Sequence, residues 1–129
     1  MKYYLLIEDD DIDIMIVKSM INLIHPFIKP IIVYNGQEAL SFLDQYLKEA
    51  TNQKPEFILL DLNMPTMNGF EFLKTYYDKF YPDFPEIPII IVTTSVHPQD
   101  KIRSLAYPFV AKYMIKPFNS KKIKEYLEA

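Results

Sequence analysis

The sequence predicts a doubly wound α/β domain built on a parallel sheet, and two patterns in it carry that prediction. Five short apolar runs, residues 3–7, 28–34, 57–60, 89–92 and 110–115, mostly lack the polar alternation of a half-exposed strand. They read as strands covered on both faces. Each run is followed by apolar residues at helical spacing, and alternating strands and helices give parallel sheets with right-handed crossovers.

The elements follow in order. The first strand stops at Glu8-Asp9-Asp10-Asp11. A helix then runs through Ile12, Ile14, Met15, Ile16, Met20, Ile21, Leu23 and Ile24 to Pro26, its first-turn acids suiting the positive end of the helix. The second strand carries Pro30 near its start, and Asn35-Gly36 turns the chain into a helix through Ala39, Leu43 and Leu47. Residues 50–55 form a polar loop. The third strand is framed by Pro55 and Pro65; proline cannot extend a central strand, so Asp61 stands at a strand-to-loop junction, exposed enough to react. Gly69 opens a helix through Phe70, Leu73, Tyr76 and Phe80, and residues 81–88 make a loop with three prolines, longer than most such connections. The fourth strand ends at Thr93-Thr94-Ser95. Pro98 suits the first position of a short helix, which Tyr107-Pro108 breaks. The fifth strand ends at Lys116-Pro117, and Asn119 or Ser120 caps the last helix.

At 129 residues the chain reads as a single domain, 1–129, with no repeat, linker or output domain. It has no Cys, which excludes disulfides and thiol chemistry, and with two His a structural zinc site has too few ligands. A net charge of −3 argues against nucleic-acid binding. No apolar run reaches membrane-spanning length, and the one at the start is too short for a signal sequence, so a cytoplasmic location is expected. Gly36 and Gly69 are the only glycines, which excludes a glycine-rich phosphate loop.

Chemistry gathers where the strands end. Glu8 and Asp9, Asp61, Thr93 and Lys116 each stand at the C-terminal end of a different run. In a parallel sheet these ends share one rim, where open α/β folds bind ligands. Carboxylates about 4 Å apart repel by about 4 kcal/mol per pair at an effective dielectric near 20. A hard divalent cation such as Mg²⁺ relieves that crowding. A lysine and a hydroxyl beside an acid and Mg²⁺ are what phosphoryl transfer requires, since it depends on positioning and charge neutralisation. Singly, each residue has an ordinary explanation as a cap or turn. Their placement one per strand end has none.

The segments Ile7-Glu8-Asp9-Asp10, Leu60-Asp61-Leu62-Asn63-Met64-Pro65-Thr66-Met67-Asn68-Gly69, Val92-Thr93-Thr94-Ser95 and Tyr113-Met114-Ile115-Lys116-Pro117-Phe118 resemble the signatures of response-regulator receiver domains, in order and over essentially the whole chain. The resemblance implies a flavodoxin-like fold with strand order 2-1-3-4-5. It implies that Asp61 accepts a phosphoryl group from a histidine kinase or phosphotransfer protein. Glu8 and Asp9 match the acidic pair, Asp9 and Asp61 being Mg²⁺ ligands with the backbone carbonyl of Asn63. Thr93 and Lys116 match the phosphoryl-contacting residues, and Tyr113 the switch aromatic. A cis Lys116-Pro117 bond is implied as well.

Two segments depart from the family pattern. Asn68 stands where Asp is usual, at a position read as a turn, and Tyr107-Pro108-Phe109-Val110-Ala111 replaces a Gly-Ala segment before the fifth strand. Asp10, Asp11 and Asp13 read first as helix-start acids and second as outer neighbours of the metal. Asn63 and Ser95 are expected to flank the path of a hydrolytic water. The output surface is expected on the face of helix 4, strand 5 and helix 5, where Phe109, Lys112, Phe118, Lys121 and Lys122 surround Tyr113 and suit an acidic partner. The reading is a phospho-acceptor module rather than an enzyme. One alternative is an aspartate-nucleophile phosphohydrolase of the haloacid-dehalogenase type, which needs an Asp where Asn63 stands. The other is an unphosphorylated receiver-like scaffold, which should have lost some of the key groups.

Overall fold

The structure, a computed structural model, describes residues 2–49, 53–64, 67–117 and 119–128. Pro65, Phe118 and part of the 50–55 loop, all used in the sequence reading, lie outside them. In chain order the elements are β1 (Tyr3–Ile7), α1 (Asp11–Ile24), β2 (Lys29–Val33), α2 (Gly36–Tyr46), β3 (Ile58–Leu60), α3 (Gly69–Lys79), β4 (Ile89–Thr93), α4 (Pro98–Leu105), β5 (Val110–Ile115) and α5 (Ser120–Glu128). All strand pairs are parallel, in the order β2-β1-β3-β4-β5.

The unbroken apolar strands have the predicted cause, two covered faces. Leu5, Ile7, Ile58, Leu60, Ile89 and Ile91 pack with Ala39 and Leu43 of α2 and Phe72, Leu73 and Tyr76 of α3. Tyr4, Leu6, Leu59, Ile90 and Val92 pack on the other face with Ile14, Val17 and Ile21 of α1 and Ile123 of α5. β2 is an edge strand, half-buried and one residue shorter at each end than the apolar run; an edge position also accommodates Pro30.

Local signals set the helix starts. The Asp10 carboxylate accepts from Asp13 N at 2.9 Å and Asn35 from Glu38 N at 2.9 Å. Asn68 is the N-cap of α3 rather than a simple turn residue, in a capping box with Glu71. Asn119 caps α5, accepting from Lys122 N at 3.1 Å. Gly69 is required by close approach, because a Cβ there would stand 2.6 Å from the Leu62 Cα and 3.1 Å from the Asp61 carbonyl oxygen. Any side chain at that position would displace the loop after Asp61.

One expectation is overturned. Phe109 does not line an exposed patch around Tyr113; it is buried, with ring centroids 4.9 Å from Tyr76, 5.4 Å from Tyr81 and 5.4 Å from Tyr107. A register irregularity between Ile89 and Ile90, opposite Val110 and Lys112, lies at the start of β5. The unusual Tyr107-Pro108-Phe109 segment thus closes an aromatic cluster. The 81–88 loop is fastened at Phe84, which packs on the core, and by an ion pair between Lys54 and Glu86.

Candidate functional site

The sheet ladder continues past the strand ends and fixes the backbone of the site. Glu8 N donates to Val33 O at 3.1 Å, Asp61 N to Ile7 O at 3.1 Å and Lys116 N to Thr93 O at 2.7 Å. With Ile7 opposite Leu60 and Thr93 opposite Ile115, the predicted groups converge on one rim. Oxygens of Glu8, Asp9 and Asp61 lie within 4.8 Å of one another. Asp9 is exposed, whereas Glu8 and Asp61 are buried, at 3% and 6% exposure, so Asp61 is more enclosed than its junction position suggested.

The Lys116 ammonium reaches three carboxylates, donating to Asp13 at 2.6 Å, Glu8 at 2.7 Å and Asp61 at 3.3 Å. The Lys116-Pro117 peptide bond is cis, as expected. The second Glu8 oxygen accepts from the backbone N–H of Asp9 at 3.0 Å and Asp10 at 3.3 Å. Three carboxylates thus share one ammonium, with the Asp9 carboxylate close to two of them. Burial pushes the Glu8 carboxyl up to about 7 against the hydrogen bond from Lys116, and the charge of Asp61 adds to the rise. For Lys116 burial acts downward, but hydrogen bonds to Asp13 and Glu8 and the charges of Asp61 and Glu8 outweigh it and hold the ammonium above the usual lysine range.

A second set of contacts leads away from Asp61. Its Oδ1 accepts from Asn63 N at 3.1 Å, and the Asn63 side-chain amide donates to the hydroxyls of Thr93 at 3.4 Å and Thr94 at 3.2 Å. Thr93 is fully buried, and its Oγ1 also accepts from Ser95 N at 3.3 Å. The half-buried Tyr113 donates its hydroxyl to the Ser95 carbonyl at 3.1 Å. The Ser95 hydroxyl is engaged by Asp100 of α4, so this side chain holds the start of α4.

Sequence reasoning missed two contacts. Asp13, read as a helix-start acid, is a direct partner of Lys116. Arg103 of α4 lies over the Phe70 ring at 4.1 Å, tying α4 to the first turn of α3. Neither has a local signal, since each depends on helices meeting in space.

The family model for the response regulator receiver domain matches residues 4–128. The chain belongs to the response regulator receiver domain family. This receiver domain is similar to the response regulator Rcp1 of Synechocystis sp., 35% identical over 103 residues, covering 80% of this chain and 69% of that protein. Among solved structures it resembles a two-component response regulator from Cytophaga hutchinsonii, with TM-score 0.85 at 26% identity, covering 98% of this chain and 94% of that one. It also resembles the Mn(2+)-bound form of Rcp1, with TM-score 0.72 at 30% identity, covering 99% and 90%. Receiver domains are signalling modules of two-component systems, and they carry an acidic divalent-cation pocket. The all-carboxylate donor set of Glu8, Asp9 and Asp61 fits a hard cation of this kind. Among the described residues no helix is long and apolar enough to cross a membrane.

Proposed function

We propose that this receiver domain is a cytoplasmic phospho-acceptor in a two-component relay, residues 1–129 acting as one receiver unit. Asp61 takes a phosphoryl group from a histidine kinase or phosphotransfer protein. The observation that carries the reading is the meeting of a buried Asp61 with the Lys116 ammonium and the Glu8-Asp9 pair on one rim. An Asp61 carboxylate oxygen attacks phosphorus. The bond from phosphorus to the donor nitrogen breaks, and its electron pair leaves with the imidazole, which takes up a proton. Lys116 and the Thr93 hydroxyl meet the oxygens of the transferred group.

Glu8, Asp9, Asp61 and the Asn63 carbonyl would hold Mg²⁺, which when bound neutralises the crowded carboxylates and the charge on the transferring oxygens. Incubation with acetyl phosphate and Mg²⁺ should add one phosphate by intact mass, and a chelator should prevent it. No incorporation, or incorporation indifferent to chelation, would refute the mechanism.

The output face we propose is α4, β5 and α5, read out as a protein contact or onward transfer. Val96, Ile102, Leu105 and Ile115 are exposed on or just before these elements, which also carry Lys101, Lys112, Lys121 and Lys122, a composition that suits an acidic partner. The contacts from Asp61 through Asn63, Thr93 and Ser95 to Tyr113 supply a route for the switch. Phosphorylation should therefore shift amide resonances from Thr93 to Lys116. Shifts confined to the neighbours of Asp61 would exclude this face.

A further inference from the structure

Asp13 stands outside the set of residues that the proposed function employs. It sits in the first turn of α1, its own N–H held by the Asp10 carboxylate at 2.9 Å. Its carboxylate reaches the end of β5 and accepts from Lys116 Nζ at 2.6 Å. An ammonium offers three N–H donors. The bonds to Asp13 at 2.6 Å and Glu8 at 2.7 Å occupy two of them and leave the third facing Asp61. That last contact, 3.3 Å, is the longest of the three. It exceeds the roughly 2.7–2.9 Å of a good charge-assisted bond. Lys116 is held beside the acceptor carboxylate, not closed onto it.

We propose that Asp13 is a positioning residue, holding the Lys116 ammonium off Asp61 so that it faces the incoming phosphoryl group without tying up the attacking carboxylate. The inference rests on the phospho-acceptor reading above. Without Asp13 the freed N–H and the remaining attraction draw the ammonium onto Asp61. A short ion pair there withdraws charge from the attacking oxygen and closes the gap where a phosphoryl oxygen would be met. The neighbouring first-turn acid Asp11 is exposed and has no such bond, which makes it a matched control for charge at the start of α1.

The test measures initial phosphate incorporation against acetyl phosphate concentration, with Mg²⁺, for the wild type, Asp13→Ala, Asp13→Asn and Asp11→Ala. Asp13→Ala should lower the maximal rate by about tenfold without raising the half-saturating donor concentration, because the change misplaces a reacting group and leaves donor binding intact. Asp13→Asn keeps an acceptor oxygen and should fall between, which also covers the case in which Asp13→Ala does not fold. Asp11→Ala should match the wild type. In the unphosphorylated proteins the ¹⁵N resonance of the Lys116 ammonium should move in both Asp13 variants and stay in place in Asp11→Ala. If the wild type takes up phosphate and both Asp13 variants keep its rate or exceed it, this inference alone is overturned. If the wild type takes up none, the phospho-acceptor reading falls and the inference with it.

Discussion

Asp61→Asn is expected to abolish phosphate incorporation and at the same time to raise thermal stability. Asn has the shape of Asp, and its side-chain oxygen can still accept from Asn63 N, the bond that Asp61 makes at 3.1 Å. It has no anionic oxygen to attack phosphorus, so uptake from acetyl phosphate should fall below detection. The stability gain comes from the same crowding that suits a cation. Three carboxylates share one ammonium and Asp9 crowds two of them, and the ion pair that the substitution removes, Lys116 to Asp61, is the longest that the ammonium makes. Removing one buried negative charge should gain about 1 kcal/mol, or about 3–5 °C in a domain of this size. Intact mass and scanning calorimetry in the absence of a divalent cation check the two parts together.

Lys116→Ala should cost both activity and folding, the second in a pH-dependent way. Loss of the cation that meets the transferred group should slow phosphorylation by about 10²–10³-fold. In folding, the change strands Glu8 and Asp61, both buried, without a counter-charge. Breaking a buried pair costs about 3–5 kcal/mol when the remaining charge stays ionised. Glu8 can escape by taking up a proton. Its folded value of about 7 lies above the ordinary 4.5, so the folded state binds that proton more tightly than the unfolded chain. The Glu8 contribution to stability is therefore present below pH 4.5 and lost as pH rises towards 7. Removing Lys116 takes away the hydrogen bond that lowers Glu8 and extends the loss upward. Denaturation should show Lys116→Ala far below the wild type at pH 8 and close to it at pH 5. An equal deficit at both pH values would mean that Glu8 does not bear the unbalanced charge.

The sequence made some features of this domain legible and hid others, for physical reasons. Central strands covered on both faces must be apolar throughout, so β1, β3 and β4 stood out as unbroken runs, and the rim residues followed from parallel topology alone. At the edge, pairing on one side only sets the length of β2, so Ile28 and Tyr34 prolonged the run without joining the strand. Asn68 and Glu71 carried a readable capping pattern, but Asn at the start of a helix after a loop resembles a turn residue equally well. Phe109 was placed on the wrong surface because its burial depends on rings brought from distant segments, Tyr76 and Tyr81, which no local pattern reveals. The link between Asp13 and Lys116 spans 103 residues and exists only because α1 begins beside the end of β5. No local pattern encodes such a meeting.

The central claim, that Asp61 is the phosphoryl acceptor, is tested most directly by locating the phosphate. Borohydride reduces an aspartyl phosphate to homoserine and leaves an ordinary carboxylate unchanged. Protein treated with acetyl phosphate and Mg²⁺, reduced and mapped by peptide mass spectrometry, should carry homoserine at position 61 and nowhere else. Homoserine at position 9 or 13, or phosphate recovered on a histidine or a hydroxyl while Asp61 stays unmodified, would contradict the account.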